Sequence, residues 1–244
     1  MLKQKEIPFF KLNNRSAMPI IGFGTGSLKG EDAFSSVKFA LEAGYRHIDT
    51  ADIYENHREI GRAIKESLLS RRDIFITTKY HDSLSENVKD SLDRFLRELR
   101  TTYIDLLLLH RPAENSNSIG VSNFSIEQLN EALHLGFEIS NNQIEFHPSL
   151  NERELQNFCS ANRVVVTAYS PLGQGKDLSI KAVEEIAEKH DVEPSNAILA
   201  WHIQRNRAAI PSSKNKDHIK ENLESLSVEL SEDELEKIDK IGEY

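Results

Sequence analysis

Residues 44–61 read GYRHIDTADIYENHREIG. Within this run YRHIDT carries strand-favouring residues, and HREIGRAIKESLL then places Ile60, Ala63, Ile64 and Leu68 at helical spacing. Asp49 and Tyr54 fall in the joint between the two. The C-terminal end of a parallel strand is where barrel enzymes keep their chemistry. The fold therefore turns on whether this strand–helix unit repeats.

It does repeat. IIGFGT precedes EDAFSSVKFALEAG, DIFITTK precedes SENVKDSLDRFLREL, and YIDLLLLH follows as a nearly all-apolar run. SIGVSN precedes SIEQLNEALHLG, NNQIEFH precedes NERELQNFCSAN, and RVVVTAYS leads into LSIKAVEEIAEKH and PSNAILAWHIQRN. AAIPSS then leads into DHIKENLESL. Continuous apolar strands alternating with helices predict a parallel sheet buried on both faces. Eight such units in 244 residues predict an α/β fold of the (β/α)8 TIM-barrel type, a single domain over residues 1–244. The alternative, a doubly wound open sheet, lacks a G-x-G-x-x-G dinucleotide loop, since GFGTGS has only part of that spacing. FFKLNNRSAMPI predicts an N-terminal β-hairpin turning at Asn13-Asn14, placed to plug the N-terminal mouth.

One connection is too short. Only RPAENSNS separates His110, at the end of the fourth strand, from Ile119 in the fifth. Parallel neighbours ordinarily need a crossover of about a dozen residues or more, usually a helix. A helical segment between strands 4 and 5 is thus expected to be absent from the chain between Pro112 and Ser118, with the break after Asn117.

Composition narrows the function classes. A charged fraction of 28% and a hydrophobic fraction of 39% suit a globular chain rather than a disordered one. The net charge of −9, without a basic stripe, argues against a nucleic-acid partner. No apolar run approaches the ~20 residues that cross a bilayer, and MLKQKEIPFF shows no signal-peptide pattern. The single cysteine, Cys159, excludes an internal disulfide and suits a reducing compartment, so a cytoplasmic location is expected, and separately a monomer. Its place on a helical apolar face marks it as a buried small hydrophobe. No H-E-x-x-H and no thiolate set is present, so no metal site is expected.

Four polar residues lie at or just beyond predicted strand ends: Asp49, Tyr54, Lys79 in FITTKY and His110 in LLLLHRP. A barrel brings these ends to one rim. A buried ammonium beside a phenol stabilises the phenolate, so Lys79 is expected to lower the Tyr54 pKa, with Asp49 keeping Lys79 charged and oriented. His110 would direct a substrate oxygen to the phenol. Such a set donates a proton to a carbonyl oxygen but holds no hydride, which a nicotinamide cofactor would supply.

With LLLLHRP, IGVSNF, NQIEFHP, AYSPLG and IPSS…HIKEN in order after it, the opening run closely resembles the aldo-keto reductase family, from about residue 7 to 240. The resemblance implies a TIM-type barrel that reduces aldehydes or ketones with NADPH. It assigns Tyr54 as general acid/base, Lys79 and Asp49 as its tuning pair, and His110 as the group orienting the substrate. It also implies carboxamide contacts from Ser122, Asn123 and Gln143, and a nicotinamide stack on Tyr169. Thr25 and Gly26 would meet the ribose and pyrophosphate side, Ser170 and Leu172 the pyrophosphate, and Glu221 and Asn222 the adenine.

Departures from the family pattern bear on specificity. IPSS stands for the usual IPKS, so Ser212, followed by Ser213, replaces a lysine expected at the 2′-phosphate, and His218 replaces an arginine. NADPH remains the expected cofactor, with NADH or dual use open and Lys214 and Lys216 near in sequence. Gly26 and Arg111 occupy positions where tryptophan is common, which implies a wider pocket and, through Arg111, acceptance of acidic carbonyl substrates. A chain ending soon after its last helix implies no long C-terminal substrate loop and broad specificity. A phosphate-binding barrel and a nucleotide-sensing or partner-binding barrel without catalysis are the alternatives; fold alone does not decide among them.

Overall fold

The computed structural model describes residues 7–13, 15–81, 87–109 and 120–242. An antiparallel hairpin, β1 (Phe9–Lys11) and β2 (Ala17–Pro19), precedes the barrel. Leu12, Met18 and Phe10 pack on Phe75, Leu106, Val165 and Ala208, residues at or beside the N-terminal ends of the barrel strands, so the hairpin closes that mouth as predicted. Its turn lies between Lys11 and Ala17, with Asn13 in it. Leu12 donates its N–H to the Ser16 carbonyl (2.9 Å), and Arg15 takes left-handed backbone; Asn14 lies outside the described residues.

Eight parallel strands follow: β3 (Phe23–Gly24), β4 (His47–Asp49), β5 (Phe75–Tyr80), β6 (Leu106–Leu109), β7 (Gly120–Ser122), β8 (Asn141–Glu145), β9 (Val165–Tyr169) and β10 (Ala208–Ala209). They lie side by side in chain order. The sheet curls shut where Ile21 bridges Ala209 in parallel and Gly24 donates to the Pro211 carbonyl at 3.0 Å. At this seam a Cβ on Gly24 would lie 2.6 Å from the Ile210 carbonyl oxygen, so only glycine lets the first and last strands meet.

Helices α1 (Gly30–Ala43), α2 (His57–Glu66), α3 (Val88–Glu98), α4 (Ile126–His134) and α5 (Arg153–Ala161) each follow a strand. Two helices, α6 (Lys181–His190) and α7 (Pro194–Gln204), separate β9 from β10, and α8 (Lys216–Glu221) and α9 (Glu232–Asp239) end the chain. Pro194 opens α7 at a position where its missing N–H costs nothing. Residues 196–202 of that helix are all buried, with Trp201 and Ala200 among the core apolar groups. Between β6 and β7 the chain has only residues 110–119, which lie outside the described residues. The expected lost segment between Pro112 and Ser118 falls there, as do His110 and Arg111.

Candidate active site

β4 ends at Asp49, and its register places Asp49 beside Thr77, two residues before Lys79 on β5. Both side chains are sealed, Asp49 at 2% and Lys79 at 1% exposure. Lys79 Nζ donates to Asp49 Oδ1 at 2.5 Å and to the Thr50 carbonyl at 2.9 Å. Asp49 Oδ2 accepts from Gln143 Nε2 at 2.7 Å, while the Asp49 carbonyl accepts from the Thr25 N–H and hydroxyl. A buried ion pair is tolerated when its remaining valences are met in this way.

Tyr54 ends a single 3-10 turn, Asp52–Tyr54, after β4, and the Lys79 ammonium lies 5.2 Å from its ring centroid. The phenol differs from the sequence expectation. Burial pushes its pKa above the ordinary tyrosine value; the Lys79 charge and hydrogen bond act downward, and Asp49 offsets part of that. The cost of a buried phenolate outweighs the ammonium, and the Asp49 carboxylate that orients Lys79 also repels a phenolate.

A cleft of about 750 Å³ opens at this rim. It gathers Thr25, Gly26, Asp49, Tyr54, Ser122, Asn123, Gln143, Tyr169, Ser170, Leu172 and Ser212 from the predicted set. Ser122 Oγ donates to the Gln143 carbonyl (2.9 Å), Asn123 Nδ2 donates to Ser122 Oγ (3.2 Å), and Tyr169 OH donates to Asn123 Oδ1 (3.1 Å). Asn123 and Ser170 both take left-handed backbone (φ 59° and 47°), a conformation held by surrounding structure and frequent at functional sites. Gly26 faces the phenol directly: a Cβ there would meet Tyr54 Cζ at 3.2 Å and its hydroxyl at 3.4 Å.

Ser213, His218, Glu221 and Asn222 do not line this cleft. His218 is exposed on α8; Asn222 is buried, and the Glu221 carbonyl accepts from Asn196 Nδ2 at 2.7 Å. Lys214 pairs with Asp32 at 2.6 Å. Among the described lining residues none is cationic.

Sequence reasoning missed the parts that brace the cleft. Pro171 lines it, and its carbonyl meets His202 Nε2 at 3.1 Å. Arg207 Nε donates to His202 Nδ1 at 3.2 Å, which fixes the proton on Nε2 and makes that nitrogen the donor to Pro171. Burial, reinforced by the Arg207 charge, keeps the imidazole neutral by holding its pKa well below the usual value. Gln174 and Gly175 form a further wall whose loop is pinned by Asp177, which accepts from the Ser149 N–H and hydroxyl at 2.9 and 2.8 Å. Asn56 was also missed. It stands where a helix-capping residue would, yet its amide donates to the Thr25 and Leu28 carbonyls, 3.0 Å each.

Comparison with known proteins identifies the family. The model of the Aldo/keto reductase family matches residues 20–117 and, as a second segment, 116–243. Glycerol 2-dehydrogenase (NADP(+)) of Saccharomyces cerevisiae is 35% identical, covering 95% of this chain and 89% of its own length. That alignment runs over 281 residues, more than the 244 of this chain, so the yeast protein carries residues that are lacking here. Glyoxal reductase of Bacillus subtilis is 36% identical over 95% of this chain and 92% of its own. The crystal structure of an aldo/keto reductase from Brucella melitensis superposes with a TM-score of 0.90 at 34% identity, covering 96% of this chain and 99% of that one. The chain thus belongs to the aldo/keto reductase family and is an oxidoreductase acting between carbonyl and alcohol groups.

Proposed function

We propose that the protein reduces small aldehydes or ketones to alcohols, with Tyr54 as proton donor. The observation that carries this reading is the sealed Lys79–Asp49 pair directly behind a phenol that lines the cleft. With its pKa raised, Tyr54 keeps its proton through the neutral range and has one to give. When that proton passes to the carbonyl oxygen, the phenolate left behind is stabilised by the Lys79 ammonium, whose own position Asp49 and the Thr50 carbonyl hold. A bound nicotinamide cofactor supplies the hydride.

The donor set of the cleft fits such a cofactor. Ser122, Asn123 and Gln143 offer hydroxyl and amide groups suited to a carboxamide, and Tyr169 offers a ring face beside them. Thr25, Gly26, Ser170 and Leu172 continue the same wall. Ser212, Ser213, His218, Glu221 and Asn222 belong to the adenosine end of this reading. NADPH is the proposed cofactor, supported by the NADP(+) named for the yeast relative; the uncharged lining keeps NADH open. His110 as the substrate-orienting group and Arg111 as a contact for acidic substrates complete it. The family match, broken at residues 116–117, supports the loss of a helical segment there. Among the described residues no helix is long and apolar enough to cross a membrane. A cytosolic monomer acting on small molecules, without metal or nucleic acid, is part of the proposal.

The test follows nucleotide absorbance with a reactive aromatic aldehyde and methylglyoxal, for wild type beside Tyr54→Phe. Turnover with NADPH that collapses in Tyr54→Phe is expected. Nucleotide binding without turnover would favour a sensing barrel instead.

A further inference from the structure

The turn that carries Tyr54 is one 3-10 loop long. Its backbone closes on itself, with Tyr54 N–H on the Ala51 carbonyl and Glu55 N–H on the Asp52 carbonyl, both 3.1 Å. It therefore moves as a unit, and its middle residue, Ile53, is 41% exposed and gives it little packing. Besides the Lys79 hydrogen bond to the phenol itself, two side chains tie it down. On the inner side Asn56, fully buried, reaches the loop after β3 and accepts from Thr50 Oγ1 at 2.7 Å. On the outer side the Asp52 carboxylate, itself 6% exposed, receives Arg94 Nη1 and Nη2 from α3 at 2.8 and 3.0 Å. Two parallel hydrogen bonds fix direction as well as distance, which one point charge does not.

We infer that Arg94, acting through Asp52, is a positioning residue that sets the approach of the Tyr54 phenol to the cleft. Arg94 is not among the described residues that line the cleft, and its guanidinium is held on Asp52. Without it the turn keeps its inner ties, Asn56 and the Lys79 hydrogen bond to the phenol, but loses its outer one, and Asp52 keeps a nearly buried charge that no longer has its two-point partner. Displacing a reacting group by about 1 Å can cost on the order of a hundredfold in rate. The inference rests on the reading of Tyr54 as proton donor.

The experiment compares wild type, Tyr54→Phe, Arg94→Met, Arg94→Lys and the double variant Arg94→Met/Asp52→Asn. It measures aldehyde kcat and KM, NADPH Kd by fluorescence, and thermal melting. Arg94→Met is expected to lose roughly tenfold to a hundredfold in kcat, with KM and Kd held within about twofold. Arg94→Lys should recover part of that loss. The double variant removes the stranded carboxylate and should regain the melting temperature while kcat stays low. Recovery of kcat together with melting temperature would reduce the pair to a structural role and overturn the inference, as would wild-type kcat in Arg94→Met. Undiminished turnover in Tyr54→Phe would fail separately, removing the proton donor and the inference with it.

Discussion

Lys79 Nζ sits 2.5 Å from Asp49 Oδ1, and no part of either group reaches solvent to a useful extent. Each charge is in place because the other is. Asp49→Asn strands the ammonium, and Lys79→Met leaves the carboxylate with only the Gln143 amide as side-chain partner. Either change should cost about 3–5 kcal/mol in unfolding free energy and lower kcat by on the order of a hundredfold or more. Denaturant melts beside steady-state kinetics check both; unchanged stability in Asp49→Asn would refute the account of the pair.

Gly26 leaves open the space against the Tyr54 ring. Its φ is not in the left-handed region, so a side chain would press on the phenol without straining the backbone. Gly26→Ala should therefore fold normally but crowd the carbonyl's second substituent. A loss in kcat/KM of roughly tenfold for ketones is expected, against a smaller loss for aldehydes. Equal losses for both classes would remove Gly26 from substrate selection.

The cleft lining carries no fixed cation among its described residues, and Lys214 is held by Asp32. Placing a lysine at Ser212 should strengthen NADPH binding selectively, by roughly tenfold relative to NADH, the equivalent of about 1.4 kcal/mol. Nucleotide titrations of wild type and Ser212→Lys read this ratio directly. An equal change for both nucleotides would show that the 2′-phosphate lies elsewhere.

Glu234 locks α9 to α6. Burial alone would raise its pKa, but hydrogen bonds from Lys189, the Ser231 backbone and His190 carry it down to about 2. A depressed carboxyl stabilises the fold above its unfolded value, and that contribution drains away as pH falls from about 4.5 towards 2. Glu234→Gln should thus be less stable at neutral pH, by about 2 kcal/mol, with a flatter loss of stability on acidification. Melting curves across pH 2–7, roughly the window set by the linkage, test the slope.

Cys159 is fully buried on α5, and burial pushes its thiol up to about 11. Thiolate is the reactive form. A thiol reagent at neutral pH should label the native protein only as fast as it opens, and label at once in denaturant. Rapid native labelling would contradict the packing of α5 on β9.

Much of this was legible in the sequence because barrel strands must be apolar on both faces. LLLLH and VVVTAY announced themselves, and polar residues at strand ends then had only one rim to occupy. Asp49 and Tyr54 were found by that logic, Ser122 and Tyr169 by the family resemblance, and all four line one cleft. What was not legible depends on partners far away in the chain. Asn56 stands at a helix-cap position, yet it bonds to residues 25 and 28, and Asp52 pairs with Arg94, 42 residues on. The Tyr54 pKa went the other way because it is a balance between burial and two opposed charges. A pattern of residue types shows who is present, and only coordinates show how deep.

The bridge from Ile21 to Ala209 makes the barrel a ring whose last link is its last strand in chain order. A nascent polypeptide emerging from the ribosome holds β3 and β9 as raw edges until β10 arrives, and raw edges invite pairing with other chains. Contacts this distant in sequence also close slowly. Any truncation that stops short of Ala208 leaves both edges exposed at once, so a C-terminal deletion of this protein should yield aggregates rather than a smaller enzyme.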